Sequence, residues 1–405
     1  MSGLLAPVVK LSALVNSFND EYMSRSYEEL KQMTLLQRVT LYNWTFEIGA
    51  IVVIALVFAF YRLGLYYNTR ITDGLFLQLN DYLKNDQQFA RVGFANKDGS
   101  KLQYLAEQQK TWFTTFATGR SAIESLCVRT HMYERSNPAA MFMERLLGTF
   151  FPSLTVRDLG EFCEIVVKPN GIHVANETAK PNANASDILN SFKFVTSVVH
   201  KSSMNEVRRD NYYLSLTRTS ESAKLPMEYV YMSEMNQLNE FIAHYAPNFL
   251  QVLKEASSIL HSISFTDLPT EKPLTDKKWN ANLLPRAVIR TSVPSNDAQL
   301  KALKDVIGLV IGVYDNFTKD LVQKNPHVFI TNDLLKKTSQ LRSQELAKIV
   351  KTMKQVEREM ALEKKQEAEK EKRRLLKQSG ENEKFDQKKR DRRERRARNK
   401  QKVRM

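Results

Sequence analysis

WTFEIGAIVVIALVFAFYRLGLYY, Trp44 to Tyr67, is the stretch on which the fold turns. Ile48 to Tyr61 carries no charge, and β-branched and aromatic residues occupy every face of it. No polar stripe survives, so an amphipathic surface helix is excluded. Leu63 to Tyr67 adds apolar length beyond Arg62, and Tyr42 and Trp44 at one end oppose Tyr61, Tyr66 and Tyr67 at the other. Aromatic residues at both ends are what two membrane–water interfaces select. At the helical rise, Trp44 to Tyr66 covers roughly 33 Å, close to the hydrocarbon thickness of a bilayer. Glu47 and Arg62 fall near opposite interfaces, where the long Arg62 stem can carry its charge outward. The stretch predicts one transmembrane helix, residues 44–67.

No second run approaches that length, and the rest of the chain has the composition of a soluble protein. Two cysteines, Cys127 and Cys163, each in an apolar context, predict buried thiols in a reducing compartment and no disulfide framework. The charge is segregated. Residues 336–405 hold 26 Lys and Arg against 12 Asp and Glu, so they account for +14 of the chain's net +15. A neutral body with a basic tail points to a polyanionic partner at the tail.

Outward from the span, residues 1–43 form a separate N-terminal segment. Residues 1–47 contain four basic and five acidic residues, and Tyr27 to Val39 is compatible with a short helix. The strongest apolar run starts only at Ile48 and no small-residue cleavage site follows it, so the span is expected to remain as an anchor. Local charge leaves the orientation open: Lys31 and Arg38 precede the span, Arg62 and Arg70 follow it. The triplets beginning at Asn176, Asn184 and Asn316 are glycosylation acceptors only if the body is lumenal.

Residues 69–330 are predicted to be an α+β domain with a largely antiparallel sheet. Leu75, Leu79, Tyr82 and Leu83 make a helical stripe after the membrane. Asn137-Pro138 is a helix start, the Asn capping and the Pro preset for the first turn. Strands are expected at Trp112–Phe116, Phe162–Lys168, Ile172–Ala175, Phe192–Val199, Tyr212–Thr217, Tyr229–Met232 and Ala287–Thr291. The second and third of these form a hairpin across Asn170-Gly171. Met235–Ile263 and Asp297–Phe317 have helical spacing.

Past Pro326 the texture changes to a charged helix over 331–378. Leu346, Ile349, Met353, Val356 and Met360 follow a 3-4-3-4 spacing, a coiled-coil seam of barely two heptads. So short a seam predicts docking on the chain's own domain or a partner in preference to independent pairing. Glu363 and Glu367 then occupy the seam, and Glu367–Lys370, Glu369–Arg373 and Glu371–Arg374 support a solvated rod. Ser379-Gly380 breaks it, leaving a basic tail, 379–405. Lys384 to Arg404 has twelve basic and three acidic residues.

No catalytic constellation emerges. There is no glycine-rich phosphate loop, no paired metal-ligand histidines and no cysteine pair at zinc spacing, so no cofactor or metal is expected. The tail carries the functional signal. Guanidinium forks suit phosphate oxygens, and counterion release supplies affinity. The candidate phosphate-contacting residues are Arg373, Arg374, Lys388, Lys389, Arg390, Arg392, Arg393, Arg395, Arg396 and Arg398, suited to the backbone of structured RNA or to a headgroup surface, with their distance from the span counting against the lipid alternative. A tail so poor in aromatics has no stacking platform, which favours backbone contacts over base reading.

TTFATGR (Thr114–Arg120), NYYLSLTRTSESAKLP (Asn211–Pro226), YMSEM (Tyr231–Met235) and the helix running into a basic KVRM ending resemble the family of coiled-coil domain-containing protein 47, or calumin. That family is a subunit of the PAT complex of the multipass translocon. The resemblance implies an endoplasmic-reticulum membrane protein with a lumenal N-terminus and a cytosolic body. It also implies a non-enzymatic adaptor that binds the ribosome through its C-terminal helices. With the Sec translocon and a small membrane partner, such an adaptor assists insertion and folding of nascent multipass proteins as part of an intramembrane chaperone. Calcium binding is not carried over, because residues 1–47 are nearly charge-balanced and their only acidic pairs are Asp20-Glu21 and Glu28-Glu29. The alternative is an endoplasmic-reticulum tether or scaffold, linked to calcium homeostasis, that dimerises through the seam and never touches RNA.

Overall fold

The computed structural model describes residues 19–95, 98–150, 160–174, 182–324 and 328–378, together with Gln387, Arg390, Asp391, Arg392, Glu394 and Arg395. Among these residues four helices have thirteen residues or more: α1 (Thr45–Asn85), α2 (Pro138–Phe150), α3 (Asp297–Val322) and α4 (Asn332–Gln378). The chain folds as two compact units. The first comprises the chain up to Ala183 with Tyr245–Ile263 and Ala287–Lys319; the second comprises Asn184–His244, Ser264–Arg286 and everything from Asp320.

The first unit is built on an antiparallel sheet. Trp112–Thr118 pairs with Ile123–His131, which pairs with Phe162–Pro169, which pairs in turn with Ala287–Thr291. Leu105–Glu107 and Arg91–Val92 pair with opposite ends of Trp112–Thr118. The membrane stretch and the stripe after it are one unbroken helix, α1. From Ile48 to Leu63 its side chains are exposed. From Gly64 onward Asn68, Thr72, Leu75, Phe76, Leu79 and Leu83 are buried at steps of three and four, a single helical face. The helix runs unbroken from Leu63 to Asn85, and within it the Thr69 and Thr72 hydroxyls are satisfied by donating back to the carbonyls of Leu65 and Asn68. The Tyr82 hydroxyl donates to the Lys304 carbonyl at 2.9 Å, fixing α1 to α3.

In the second unit Tyr229–Ser233 pairs antiparallel with Thr196–His200 on one side and Arg218–Ser220 on the other. Val195, Val199, Val207, Tyr213, Leu214, Val230, Met232, Leu268, Trp279 and Ile349 form one core cluster.

Five local expectations are corrected. Ile172–Val174 is in no strand, and Ala175 lies outside the described residues. Gly171 has a φ of +70°, but Asn170–Val174 forms neither a turn nor a strand. Both edges of Phe162–Pro169 are already taken by Ile123–His131 and Ala287–Thr291, so no hairpin arm can pair there. Tyr212–Ser215 is a helical turn, not a strand. Tyr213 and Leu214 are neighbours and both buried, which a pleated strand with one solvent face forbids. Phe192–Phe194 precedes the strand, which runs Thr196–His200. Met235–Ile263 is broken at Pro247 into Phe241–Tyr245 and Phe249–Glu255, and its end belongs to a strand, Leu260–Thr266. Tyr27 to Val39 becomes two short helices, Tyr27–Gln32 and Leu35–Leu41, the second started by a Thr34–Gln37 capping box.

Candidate functional site

The two long terminal helices each have a root in a folded unit, and the roots differ in chemistry. At α1 the root is a close backbone approach. A Cβ at Gly64 would lie 2.2 Å from the Arg135 carbonyl oxygen, so only glycine lets the helix and this segment meet. One turn on, the Asn68 amide donates to the carbonyls of Lys110 and Tyr133 at 3.2 and 3.0 Å, and its oxygen accepts from Arg135 Nη1 at 2.9 Å. The Arg135 guanidinium lies 4.9 Å from the Tyr67 ring centroid and pairs with Glu161.

At α4 the root is a buried charge cluster. Arg342 Nε and Nη2 donate to the two carboxylate oxygens of Glu234 at 2.7 and 3.1 Å; Nη1 and Nη2 donate to those of Asp267 at 2.7 and 2.8 Å. Two bidentate forks on one guanidinium use its fixed planar geometry. The side chains are 11%, 0% and 1% exposed for Arg342, Glu234 and Asp267, so the cluster holds one net negative charge out of water. Glu234 also accepts from the Val195 amide at 2.9 Å. Burial pushes the Glu234 carboxyl above its ordinary range, against the opposing pull of the Arg342 charge. Burial works to lower the Arg342 pKa, but the two carboxylates outweigh it and hold the guanidinium charged.

Sequence reasoning missed Arg342. The buried face of α4 runs Leu334, Thr338, Arg342, Ile349, with Leu346 packed against the same core. Arg342 therefore sits four residues before Leu346, in register with the predicted seam; a charged residue in a seam slot was the available signal. Along the seam, burial fades. Ile349 belongs to the core, while Val356 and Met360 are 46% and 51% exposed. Together with Leu216 and Leu274, the outer seam lines an open cleft of about 870 Å³.

Beyond Thr352 the described part of α4 is exposed on every side apart from Met353. Of the candidate phosphate contacts, Arg374, Arg390, Arg392 and Arg395 are exposed. The Arg373 side chain and Lys388, Lys389, Arg393, Arg396 and Arg398 lie outside the described residues, as does Asn176 among the glycosylation acceptors.

Among the described residues no catalytic arrangement is drawn together elsewhere. Cys163 is fully buried, and burial pushes its thiol up to about 12; Cys127, half-buried, is pushed up for the same reason. Thiols so protonated are poor nucleophiles. Among the described residues no group of three His, Cys, Asp or Glu side chains is disposed to hold a metal. His131 and His261 contact the Gly160 carbonyl and the Ser292 hydroxyl. His200 accepts from the Ser202 amide at a 3₁₀ start.

The class so defined is an α+β protein that has, among the described residues, one helix long and apolar enough to cross a membrane, and a long charged helix towards its C-terminus. Known proteins agree. A family model described as PAT complex subunit CCDC47 matches residues 43–396. The UPF0674 endoplasmic reticulum membrane protein YNR021W of Saccharomyces cerevisiae is 51% identical over 360 residues, which covers 89% of this chain and 88% of the yeast protein. The UPF0674 endoplasmic reticulum membrane protein C2G5.01 of Schizosaccharomyces pombe is 28% identical over 198 residues, 48% of this chain and 47% of its own length. The chain belongs to the PAT complex subunit CCDC47 family.

Proposed function

We propose that this protein is a non-enzymatic adaptor of the endoplasmic-reticulum membrane. In this reading α1 crosses the bilayer once through residues 44–67, with residues 1–43 lumenal and the body cytosolic. The basic C-terminal segment contacts rRNA phosphate near the polypeptide exit. With the Sec translocon and a small membrane partner it assists insertion and folding of nascent multipass proteins. The observation that carries the reading is the build of α4. It is pinned in the second unit by Arg342 and then leaves as a charged, solvated rod that leads into the densest arginine cluster of the chain. Helix α4 from Thr352 to Gln378 spans roughly 40 Å at the helical rise, enough to hold basic residues well away from the core that anchors it. The tether reading, with dimerisation through the seam, is disfavoured because Leu346 and Ile349 are already used in the second unit's own core.

The test is ribosome affinity across a salt series, with the membrane span intact. Changing Arg392, Arg393, Arg395, Arg396 and Arg398 to Gln removes five charges at little cost in helix propensity. If all five meet phosphates of duplex RNA, the log–log salt slope falls by roughly 4 to 5 units. Changing the same five to Lys keeps much of the slope and loses some affinity, because an ammonium cannot form the fork. Unchanged affinity and slope in the Gln variant would remove the tail from the binding surface and leave the tether reading in front.

A further inference from the structure

We propose that α2 is a second membrane element: it lies in the interface of the bilayer that α1 crosses, with Phe142, Leu146 and Phe150 set among the lipid acyl chains. The inference rests on the reading of α1 as a transmembrane helix. The first unit marks the level at which α1 leaves the bilayer. Its side chains are exposed up to Leu63 and its covered face begins at Gly64, where Arg135 closes on it. Tyr61, Tyr66 and Tyr67 ring the same level, and the Arg135 guanidinium packs over Tyr67. Aromatic rings beside a cation are the composition of a membrane–water interface.

The chain starts α2 only three residues after Arg135, so the helix begins at that level. Asn137 caps it, accepting from the Ala140 amide at 3.2 Å. Its first residues then do what no loop in water would favour. Pro138 and Ala139 share an apolar cleft of about 660 Å³ with Val53, Val57 and Phe58, residues well inside the span. Continuity of this cleft with the exposed flank of α1 argues for acyl chains as the occupant. Along α2, Phe142, Leu146 and Phe150 recur every fourth residue with Met143 beside them, and they are 62%, 36%, 71% and 54% exposed. Four large apolar side chains on one short helix, bare to solvent at the depth of the interface, describe a helix whose apolar face sinks roughly 5–10 Å into the headgroup–acyl boundary. Arg145 sits 4.8 Å from the Tyr133 ring centroid, a cation placed to meet lipid phosphate.

The full chain, carrying Cys127→Ala and reconstituted into phosphatidylcholine vesicles, tests this with single cysteines for an environment-sensitive fluorophore. Leu146→Cys and Phe150→Cys report on α2, Val57→Cys on the span, and Lys254→Cys on the body. The buried Cys163 thiol is left in place. Nitroxide-bearing lipids are expected to quench most of the emission at positions 57, 146 and 150, and aqueous iodide only the emission at position 254. Iodide quenching at 146 and 150, with position 57 still lipid-quenched, would overturn the proposal and spare the span. Protection of 146 and 150 from both quenchers would equally overturn it, since the face would then be covered by protein, a second copy included. Iodide quenching at position 57 would remove the span itself, and this inference with it.

Discussion

α1 and α4 are built on the same plan and differ in the composition of their free halves. Each has one half fixed in a folded unit and one half exposed. The exposed half of α1 is uncharged over Ile48–Tyr61; that of α4 alternates Glu with Lys and Arg. Exposure alone therefore says little about these helices, and composition separates them: the free half of the first is long and apolar enough to cross a membrane, while that of the second is charged throughout and suited to water. The roots differ. α1 is held by backbone proximity at Gly64 and by the Asn68 amide, which bonds two carbonyls and the Arg135 guanidinium. α4 is held by a buried ion cluster, which fixes one register of a helix whose face is otherwise only weakly apolar.

The sharpest way to break this comparison is at Arg342. Arg342→Met leaves Glu234 and Asp267 buried without their cation, and is expected to destabilise the second unit by about 3–5 kcal/mol. Chemical unfolding of the detergent-solubilised chain measures this, together with the rate of proteolysis near residue 345. Adding Glu234→Gln should recover part of the loss by removing one of the two unpaired charges. A loss no larger than that of a surface substitution would mean that the core cluster alone roots α4.

Next in size is Ile349, the last fully packed residue of the seam. Ile349→Ala is expected to cost about 2–4 kcal/mol, in the range for buried large-to-small changes. Emission from Trp279, in the same cluster, should report the unfolding. At the other helix, Asn68→Ala strips two carbonyls and Arg135 of their partner and is expected to cost about 1–3 kcal/mol. Thermal unfolding of the full chain in detergent would show it, with the exposed half of α1 unaffected. If Asn68→Ala costs more than Arg342→Met, the assignment of the stronger polar root to α4 is wrong.

What was legible in the sequence follows from the range of each interaction. The apolar half of α1 announces itself because no face of it carries a charge. The seam from Leu346 to Met360 shows in its spacing, and the basic tail in its count of arginines. The roots were not legible. Gly64 matters because of a carbonyl 71 residues away in the chain, and Arg342 because of carboxylates 108 and 75 residues away. In a one-dimensional reading, Arg342 ends the apolar stripe; in three dimensions it lies on the buried face that continues it. The strand expectations at Ile172–Ala175 and Tyr212–Thr217 fail for the same reason. Local β-propensity was present, but neighbouring strands had filled the sheet edges in one case and two adjacent residues had to enter the core in the other.

The smallest expected effect tests where α4 stops being part of the second unit. Val356 and Met360 continue the seam of Ile349 by spacing, yet both are about half exposed and face the open cleft beside Leu216 and Leu274. Val356→Ser with Met360→Ser is therefore expected to change stability by less than about 0.5 kcal/mol, as surface substitutions do. Circular dichroism should show the helix intact, since neither position lies where a cap or a buried partner holds it. The same pair of changes also probes the tether reading, in which the seam pairs with a second copy. Sedimentation that is unchanged, beside unchanged stability, keeps the exposed half of α4 as a solvated rod. A loss approaching that of Ile349→Ala, or a shift from dimer to monomer, would extend the root of α4 outward by two turns. The two helices would then no longer share the same plan.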